Sequence, residues 1–404
     1  MDKLRSLAAH AAMAGAALLL IAGGAQAQDT IKLGFTAALT GPFNEFGEGI
    51  HRGAEIAVAQ WNAAGGIMGK KIELAEVLDD QLVPDRALQN MRRILDNKDI
   101  VALMAPSGSG PALAIVDMVE ADGRPICNPQ AQTPSVVYPN GLDKPPRKNV
   151  FSVSIGNTVE AMKLGTALAA SYTKIGILHE STGYGVTGAT LAKREIARLG
   201  KNAEVTVESY NQRAQDMTAQ LVRVQRAGVQ ALLVIGLGAD AAVIRKNMSR
   251  LNLNIPLYLT AGAVTAPYLE GAGDLVAGTR AANVIAFGEI PFSPTMQRFL
   301  DDYRARFGTD RWYGPDAKAP EISMASTVGS GYDCINLMLH AIKSAGSTKP
   351  EDIIAALDRT TNLPGVVIRS ISFTPSQHAA LKVEDLGMYE MTKKGNHWGL
   401  ELQK

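Results

Sequence analysis

The chain has 404 residues, of which 46% are hydrophobic and 20% are charged, so its composition is that of a globular protein and not of a disordered one. Lysine and arginine number 40 and aspartate and glutamate 39, which gives a formal net charge of +1. With no basic stripe, this balance argues against a nucleic-acid partner. At about 100–200 residues per domain, the length predicts two lobes.

The first 27 residues have the pattern of a secretory signal peptide. Lys3 and Arg5 precede an apolar run that is densest at 16–22, and the small residues Ala25 and Ala27 follow it. The alternative is a membrane anchor, but the run is too short, and no later segment has about 18 uninterrupted apolar residues. We therefore predict a signal peptide at 1–27 and a soluble mature protein in the periplasm. No cysteine follows Ala27 to carry a lipid.

Strand and helix patterns then alternate. A strand is predicted at 31–35 and a helix at 50–61, because their apolar residues recur with periods near 2 and 3.6. Further strands are predicted at 71–78, 101–105 and 126–127, with a helix at 85–95. The strand at 101–105 leads into a glycine- and serine-rich turn at 107–110, after which another helix is predicted.

The same alternation restarts after a polar, proline-containing stretch at 139–148. Strands are predicted at 174–179, 203–207 and 231–235, and helices at 188–199, 217–225 and 239–251. Two such blocks predict an α/β fold with two doubly wound parallel sheets. Helices predicted at 294–306, 331–345 and 350–357 are expected to complete the two lobes.

One motif suggests a nucleotide site. Gly183, Gly185 and Gly188 match G-x-G-x-x-G, and Glu208 lies where a ribose-binding acid would be found. However, residues 180–182 separate the strand from the first glycine, so the tight turn comes too late. We interpret the motif as a glycine-rich connection that places Tyr184 at the mouth of a cleft.

Other catalytic patterns are weak. Five histidines of the mature chain show no metal-ligand spacing, and His179 is interpreted as a packing residue; the five are His51, His179, His340, His378 and His397. Ser107 and Ser109 lack the glycine that a nucleophile elbow has two positions before its serine. We predict no enzyme activity, no metal and no cofactor.

Two further pairs leave alternatives open. Asp79 and Asp80 follow a predicted strand, where a solvated strand end or a helix-entry cap is favoured over a catalytic carboxylate pair. Cys127 and Cys334 are too few for a disulfide framework. They could form one disulfide in an oxidising compartment or stay as two buried thiols, with free thiols at least as favoured.

Several segments together resemble a known family. Residues 31–43 and 62–69 look like the start of the periplasmic branched-chain amino-acid binding proteins. Residues 183–185, 216–219 and 303–308 are similar to later landmarks of that family. The resemblance covers essentially the whole mature chain in order, and it identifies a type I periplasmic binding protein.

The resemblance implies two doubly wound lobes joined by a three-strand hinge, with a central ligand cleft. It divides the chain into an N-terminal lobe of 28–150 plus 286–365 and a C-terminal lobe of 151–285 plus 366–404. It also implies a monomeric solute receptor that delivers a small molecule to an inner-membrane ABC permease and its ATPase subunits. Such proteins perform no chemistry.

The expected site begins at the turn 107–110. Free N–H groups at a helix start attract an anion, and glycine lets a ligand carboxylate approach the backbone. Ser107 matches the family serine that holds the ligand carboxylate, and the adjoining Gly108 and Ser109 complete this predicted anion site. The alternative is a helix N-terminus with nothing bound.

The resemblance also implies contacts elsewhere in the cleft. Ala131 and Gln132 fall at the next contact loop, where Gln132 replaces the usual hydroxyl. Tyr184 matches the tyrosine presented by the second lobe. Phe46 falls where an aromatic residue walls the pocket, although a core role is nearly as favoured.

The departures from the family bear on specificity. Where the family commonly places an acid for the ligand ammonium, residues 260–267 contain no carboxylate. Asp240 could substitute, but at the start of a helix it is more often a cap. A buried ammonium without an acid is costly. We therefore hypothesise that the ligand is an aromatic or aliphatic carboxylate and not an α-amino acid.

Two other functions use the same features. A ligand-sensing subunit of a membrane signalling system needs only the same cleft and hinge. An exported enzyme would need a nucleophile, base or metal arranged in the cleft.

Overall fold

In the computed structural model, two sheets organise the described residues, which are 30–199, 203–288, 291–308, 324–395 and 397–403. The predicted signal peptide lies outside these residues. Within them, no helix combines the length and the apolar character needed to cross a bilayer.

The first sheet has five parallel strands in the order β2-β1-β3-β4-β5. The strands are β1 Thr30–Ala37, β2 Lys71–Asp79, β3 Ile100–Met104, β4 Ile126–Asn128 and β5 Val150–Ser152. The connecting helices are α1 Asn44–Ala63, α2 Pro84–Asp96 and α3 Ser109–Asp122. From β1 the chain adds β2 on one side and β3, β4 and β5 on the other. Because β1 and β3 are adjacent and parallel, the loops that follow them lie at the same edge of the sheet.

The second sheet has seven strands in the order β12-β11-β10-β9-β8-β6-β7. Its strands are β6 Lys174–Glu180, β7 Glu204–Tyr210, β8 Ala231–Ile235, β9 Leu257–Leu259, β10 Arg280–Val284, β11 Leu386–Lys394 and β12 His397–Leu402. Its helices are α4 Asn157–Ser171, α5 Gly183–Leu199, α6 Thr218–Arg226, α7 Gly238–Arg250 and α8 Ala266–Ala272. The strands β6 to β10 are parallel, whereas β11 pairs antiparallel with both of its neighbours. The antiparallel edge was not anticipated.

Three later helices complete the first lobe: α9 Pro294–Phe307, α10 Ala325–Ala345 and α11 Pro350–Leu357. Helix α10 lies against α1 so closely that Cβ atoms on Gly53 or Gly331 would collide with the opposing backbone. Its buried face joins the core of the first sheet. The predicted start at 331 is therefore too late, since α10 begins at Ala325.

The third passage between the lobes differs from the expected boundary after residue 365. Val366, Phe373 and Leu381 pack in the core of the first sheet, and Ala379 forms a parallel bridge with Ser152 of β5. The chain joins the second sheet only at Leu386. Residues 366–381 thus belong with the first lobe, because their apolar side chains are buried there.

Cys127 and Cys334 form a disulfide, with their Cα atoms 5.5 Å apart. The sequence left this pairing open and favoured free thiols at least as much. The bond ties β4 to α10 across 207 residues of sequence, so both of its ends lie within the first lobe.

Candidate functional site

A cavity lies between the two lobes, at the carboxyl ends of the strands of both sheets. It holds about 750 Å³ of space, including solvent at its mouth. The first lobe lines it with Phe46, Leu82, Pro84, Ser107, Gly108, Ser109, Gly110, Pro111, Gln130 and Gln132. The second lobe lines it with Glu180, Thr182, Tyr184, Gln212, Leu237 and Gly262. Among these described residues there is one carboxylate and no lysine, arginine or histidine.

The turn before α3 forms one end of the cavity. Ser107 is buried, and its Oγ accepts a hydrogen bond from the N–H of Ala38 at 3.4 Å, which leaves the hydroxyl proton available for donation. The first N–H groups of a helix have no partner within the helix. The first turn of α3 contains no acidic residue. This end of the cavity therefore favours an anion through hydrogen-bond donors and the helix dipole, without a salt bridge.

Ser109 joins this turn to the next loop. Its Oγ accepts the N–H groups of Gln132 at 3.1 Å and Thr133 at 3.2 Å. Asn128 fixes the same loop, because its amide accepts from the N–H of Ala131 at 2.9 Å and donates to the Ala131 carbonyl at 2.7 Å. Ala131 itself lies outside the residues that line the cavity. Its neighbours Gln130 and Gln132 line the cavity instead.

Gln132 lines the cavity with an amide group that the protein does not satisfy. Its side chain is 4% exposed, and Oε1 accepts no hydrogen bond from any residue in the described parts of the chain. Its backbone carbonyl is used, since it accepts from the N–H of Asn157 in the second lobe at 2.8 Å. Buried polar atoms are nearly always hydrogen-bonded, so this amide oxygen has unused capacity to accept a hydrogen bond at the cavity.

Tyr184 lies in the first turn of α5 and lines the cavity from the second lobe. Its hydroxyl donates to Thr260 Oγ1 at 2.8 Å, and burial raises its pKa well above the ordinary value, so the phenol stays neutral. The interpretation of 183–188 as a connection is wrong, because these residues are helical.

Phe46 lines the cavity and also packs in a core cluster with Phe43, Tyr184 and Leu237. It therefore has both of the roles expected for it, as a wall of the pocket and as a core residue.

Sequence reasoning did not identify Glu180, the carboxylate among the described residues that line the cavity. Glu180 is the last residue of β6, although the sequence pattern predicts that 180–182 lie between the strand and the first glycine. Its carboxylate accepts from Thr182 Oγ1 and from Gln212 Nε2, the latter at 2.9 Å. Burial raises the pKa of Glu180 to about 7. Gly185 makes this arrangement possible, because a Cβ there would collide with the Glu180 carbonyl.

One signal could have identified Glu180. Ligands of open α/β sheets bind beyond the carboxyl ends of the central strands, and Glu180 directly follows the strand predicted at 174–179. An acid at such a position merits the same attention as the glycine-rich turn after β3.

Asp240 does not line the cavity. It is buried in the first turn of α7, where its carboxylate accepts the N–H of Arg213 at 3.1 and 3.3 Å. Burial raises the pKa of Asp240 to about 6. The expected capping role is also wrong, because the start of α7 has no side-chain cap, and Asp240 instead holds the loop that carries Arg213.

The two lobes contact each other beside the cavity. The guanidinium of Arg213 lies over the ring of Phe43, with 5.0 Å between Cζ and the ring centroid. On the other side, the hydroxyls of Thr133 and Thr187 are 3.3 Å apart. The cavity is therefore bounded by contacts that join the lobes.

The remaining chemical candidates have structural roles. Asp79 accepts the N–H groups of Leu39, Thr40 and Gln81, and Asp80 accepts the N–H of Leu82, so both carboxylates cap loops. Across the described parts of the chain, no three residues among histidine, cysteine, aspartate and glutamate are grouped to hold a metal.

Comparisons with known proteins agree with this fold. Residues 30–396 match the family model described as periplasmic binding protein. The crystal structure of a type 1 periplasmic binding protein from Bordetella pertussis Tohama I has 50% sequence identity and a TM-score of 0.88, over 93% of this chain and 100% of that one.

More distant similarities name ligands. The leucine-, isoleucine-, valine-, threonine- and alanine-binding protein of Pseudomonas aeruginosa is 24% identical over 89% of each chain. The solute-binding protein of an ABC transporter from Rhodopseudomonas palustris BisB5, solved with 3,4-dihydroxybenzoic acid, has 18% identity and a TM-score of 0.76, over 93% of this chain and 96% of that one. This last similarity extends to the fold alone.

Proposed function

The chain belongs to the periplasmic binding protein family, and from that premise we propose that it captures a small carboxylate-bearing solute for an ABC importer. The observation that carries the proposal is the turn 107–110 at the start of α3, which supplies hydroxyl and amide donors to an interlobe cavity without a basic side chain. Such a site holds an anion by hydrogen bonds and the helix dipole.

The proposed mechanism is lobe closure on the solute. A ligand that contacts both lobes binds the closed arrangement more tightly than the open one and so shifts the population towards closure. Ser107 and the first turn of α3 would hold the carboxylate, while Phe46, Leu82 and Leu237 would surround the apolar part. The closed form would then be presented to an inner-membrane permease with its ATPase subunits, after export and cleavage behind Ala27. The receptor would act as a monomer and would release its solute unchanged.

Both ligand types named by the comparisons fit this class. The P. aeruginosa protein is named for amino acids, and the R. palustris protein was solved with an aromatic acid. A carboxylate is the group that these molecules share. We therefore propose the carboxylate as the recognised feature, with the rest of the solute set by the cavity walls.

Isothermal titration calorimetry with amino acids, aromatic acids and short aliphatic acids tests the proposal. We expect at least one of these carboxylates to bind, and the Ser107→Ala variant to weaken that binding by roughly tenfold or more, since a hydrogen bond to a charged group is worth about 1.5–3 kcal/mol. Ser376→Ala, at an exposed serine outside the cavity, should leave affinity unchanged. Recovery of the bound compound unaltered would agree with binding without turnover. Tight binding that Ser107→Ala does not affect would contradict the proposal.

A further inference from the structure

The two lobes line the cavity with opposite hydrogen-bonding groups. The first lobe supplies donors at the start of α3, whereas the second lobe supplies the two acceptor oxygens of Glu180. Each oxygen already accepts one hydrogen bond, from Thr182 or from Gln212, and a carboxylate oxygen can accept a second. Glu180 is only 1% exposed, so little of it contacts bulk solvent.

A second acceptor lies on the first lobe. Gln132 Oε1 is buried at the cavity with no partner among the residues that the structure describes. Two acceptors with unused capacity that line the same cavity favour a bound molecule that brings donors to them. Glu180 makes the stronger demand for a donor, because an ionised carboxylate can only accept hydrogen bonds.

From this arrangement we infer that Glu180 selects solutes that carry a hydrogen-bond donor, such as an ammonium, amide or hydroxyl group, in addition to the carboxylate. The inference rests on the proposed function and deepens it. It also revises the hypothesis from the sequence that the ligand is not an α-amino acid. That hypothesis depended on the lack of an acid at 260–267, and the cavity receives its acid from the end of β6 instead.

The charges around Glu180 support this selection. Asp240 and the hydroxyls of Tyr184 and Tyr210 are its ionisable neighbours, and none of them is a cation at neutral pH. A solute with only a carboxylate would add a second negative charge to this space. It could bind without repulsion only if Glu180 took up a proton, whereas a solute with an ammonium would favour the ionised form.

Matched pairs of probes test the inference on the full mature chain. L-leucine and 4-methylpentanoate differ by one ammonium, and 4-hydroxybenzoate and benzoate differ by one hydroxyl. We expect the donor-bearing member of any bound pair to have at least tenfold higher affinity, because hydrogen bonds to a charged group are worth about 1.5–3 kcal/mol. Glu180→Gln should reduce that preference severalfold or more, while Glu208→Gln should preserve it. Glu208 lies on the adjacent strand β7, where it pairs with Arg223 outside the cavity.

The pH dependence of the wild-type chain gives a second readout that needs no variant. Because burial raises the pKa of Glu180 to about 7, the affinity for a donor-free acid should fall as pH rises from 6 to 8. The affinity for the matched ammonium compound should not fall over that range. This remains measurable if Glu180→Gln does not fold.

The outcomes separate the two proposals. Equal affinities within each pair and the same pH profile for both members would overturn the role of Glu180, with the carboxylate receptor intact. If the wild-type chain binds none of these carboxylates, the proposed function and the inference that rests on it both fail.

Discussion

The two lobes contribute to the cavity in different ways. The first lobe contributes backbone amides, the hydroxyl of Ser107 and the start of α3, all fixed by local turns and by Ser109. The second lobe contributes Glu180 and Tyr184, which are held by side chains from distant segments. The donors of the first surface do not titrate near neutral pH, whereas the second surface contains a buried carboxylate that does. In our proposal the first lobe therefore recognises a carboxylate and the second selects among carboxylates.

The crosslink is confined to one lobe, whereas buried acids are not. The Cys127–Cys334 disulfide lies in the first lobe, but buried acids with raised pKa values occur in both lobes, for example Asp333 in the first and Glu160 in the second. The next three predictions concern the crosslink, a buried acid and the contact between the lobes, in order of decreasing effect.

Removal of the disulfide should give the largest change. Replacing Cys127 and Cys334 by serine and alanine should lower the free energy of unfolding by about 2–5 kcal/mol, because the crosslink restricts the unfolded chain over a long loop. Chemical denaturation of the variant and of the reduced wild type measures the loss. Because both cysteines lie in the first lobe, its transition should move first, and separate transitions for the lobes would become visible. A midpoint that does not change on reduction would contradict the assignment.

Glu160 should make the second lobe less stable at high pH. It is fully buried, and its Oε1 accepts the N–H of Ala261 at 2.7 Å beside the cavity residue Gly262. Burial raises the pKa of Glu160 to about 8, so the folded state holds a proton that the unfolded chain has lost above about pH 4.5. Stability should therefore fall as pH rises from about 4.5 to 8 and level off above that.

Glu160→Gln tests this dependence, since a glutamine oxygen can still accept the Ala261 N–H. Thermal unfolding without ligand should show the variant more stable than wild type at pH 8, by roughly a few kcal/mol, and similar to it at pH 4.5. Glu195→Gln provides the opposite sign, because Arg198 holds the pKa of Glu195 below its usual value. If Glu160→Gln lowers stability equally at both pH values, titration of Glu160 is not the cause.

The contact between the lobes should give the smallest change. Arg213→Ala removes the cation–π contact with Phe43, which is worth about 0.5–1 kcal/mol at an exposed site, so solute affinity should fall by about two- to fivefold. The N–H of residue 213 still donates to Asp240, so stability should hardly change. Calorimetry of Arg213→Ala beside Arg226→Ala, an exposed arginine of α6, measures the difference. Equal affinities would show that the contact does not favour closure.

The turn 107–110 of the first lobe and Tyr184 of the second lobe were predicted from the sequence, whereas Glu180 of the second lobe was not. Ser107, Gly108 and Ser109 are consecutive residues after an apolar strand, so local pattern and turn chemistry suffice to identify them. Gln212 donates a hydrogen bond to Glu180, and Tyr184 donates one to Thr260. These hydrogen bonds form only when separate segments of the chain pack together.

The fold shows the same division between local and long-range information. Alternating strand and helix patterns predicted the α/β class and most parallel strands. The edge strands β11 and β12 and the late passage near Leu386 depend on where the C-terminal segment packs, which periodicity does not contain. The same holds for Asp240, whose partner is a backbone N–H in a loop between β7 and α6.

A crystal structure of the chain with the tightest-binding carboxylate would show whether the turn 107–110 holds the anion. We expect the carboxylate at the first turn of α3, with one oxygen within hydrogen-bonding distance of Ser107 Oγ and the other facing the N–H groups of that turn. A solute whose carboxylate instead pairs with a basic side chain, or one bound away from the interlobe cavity, would contradict it.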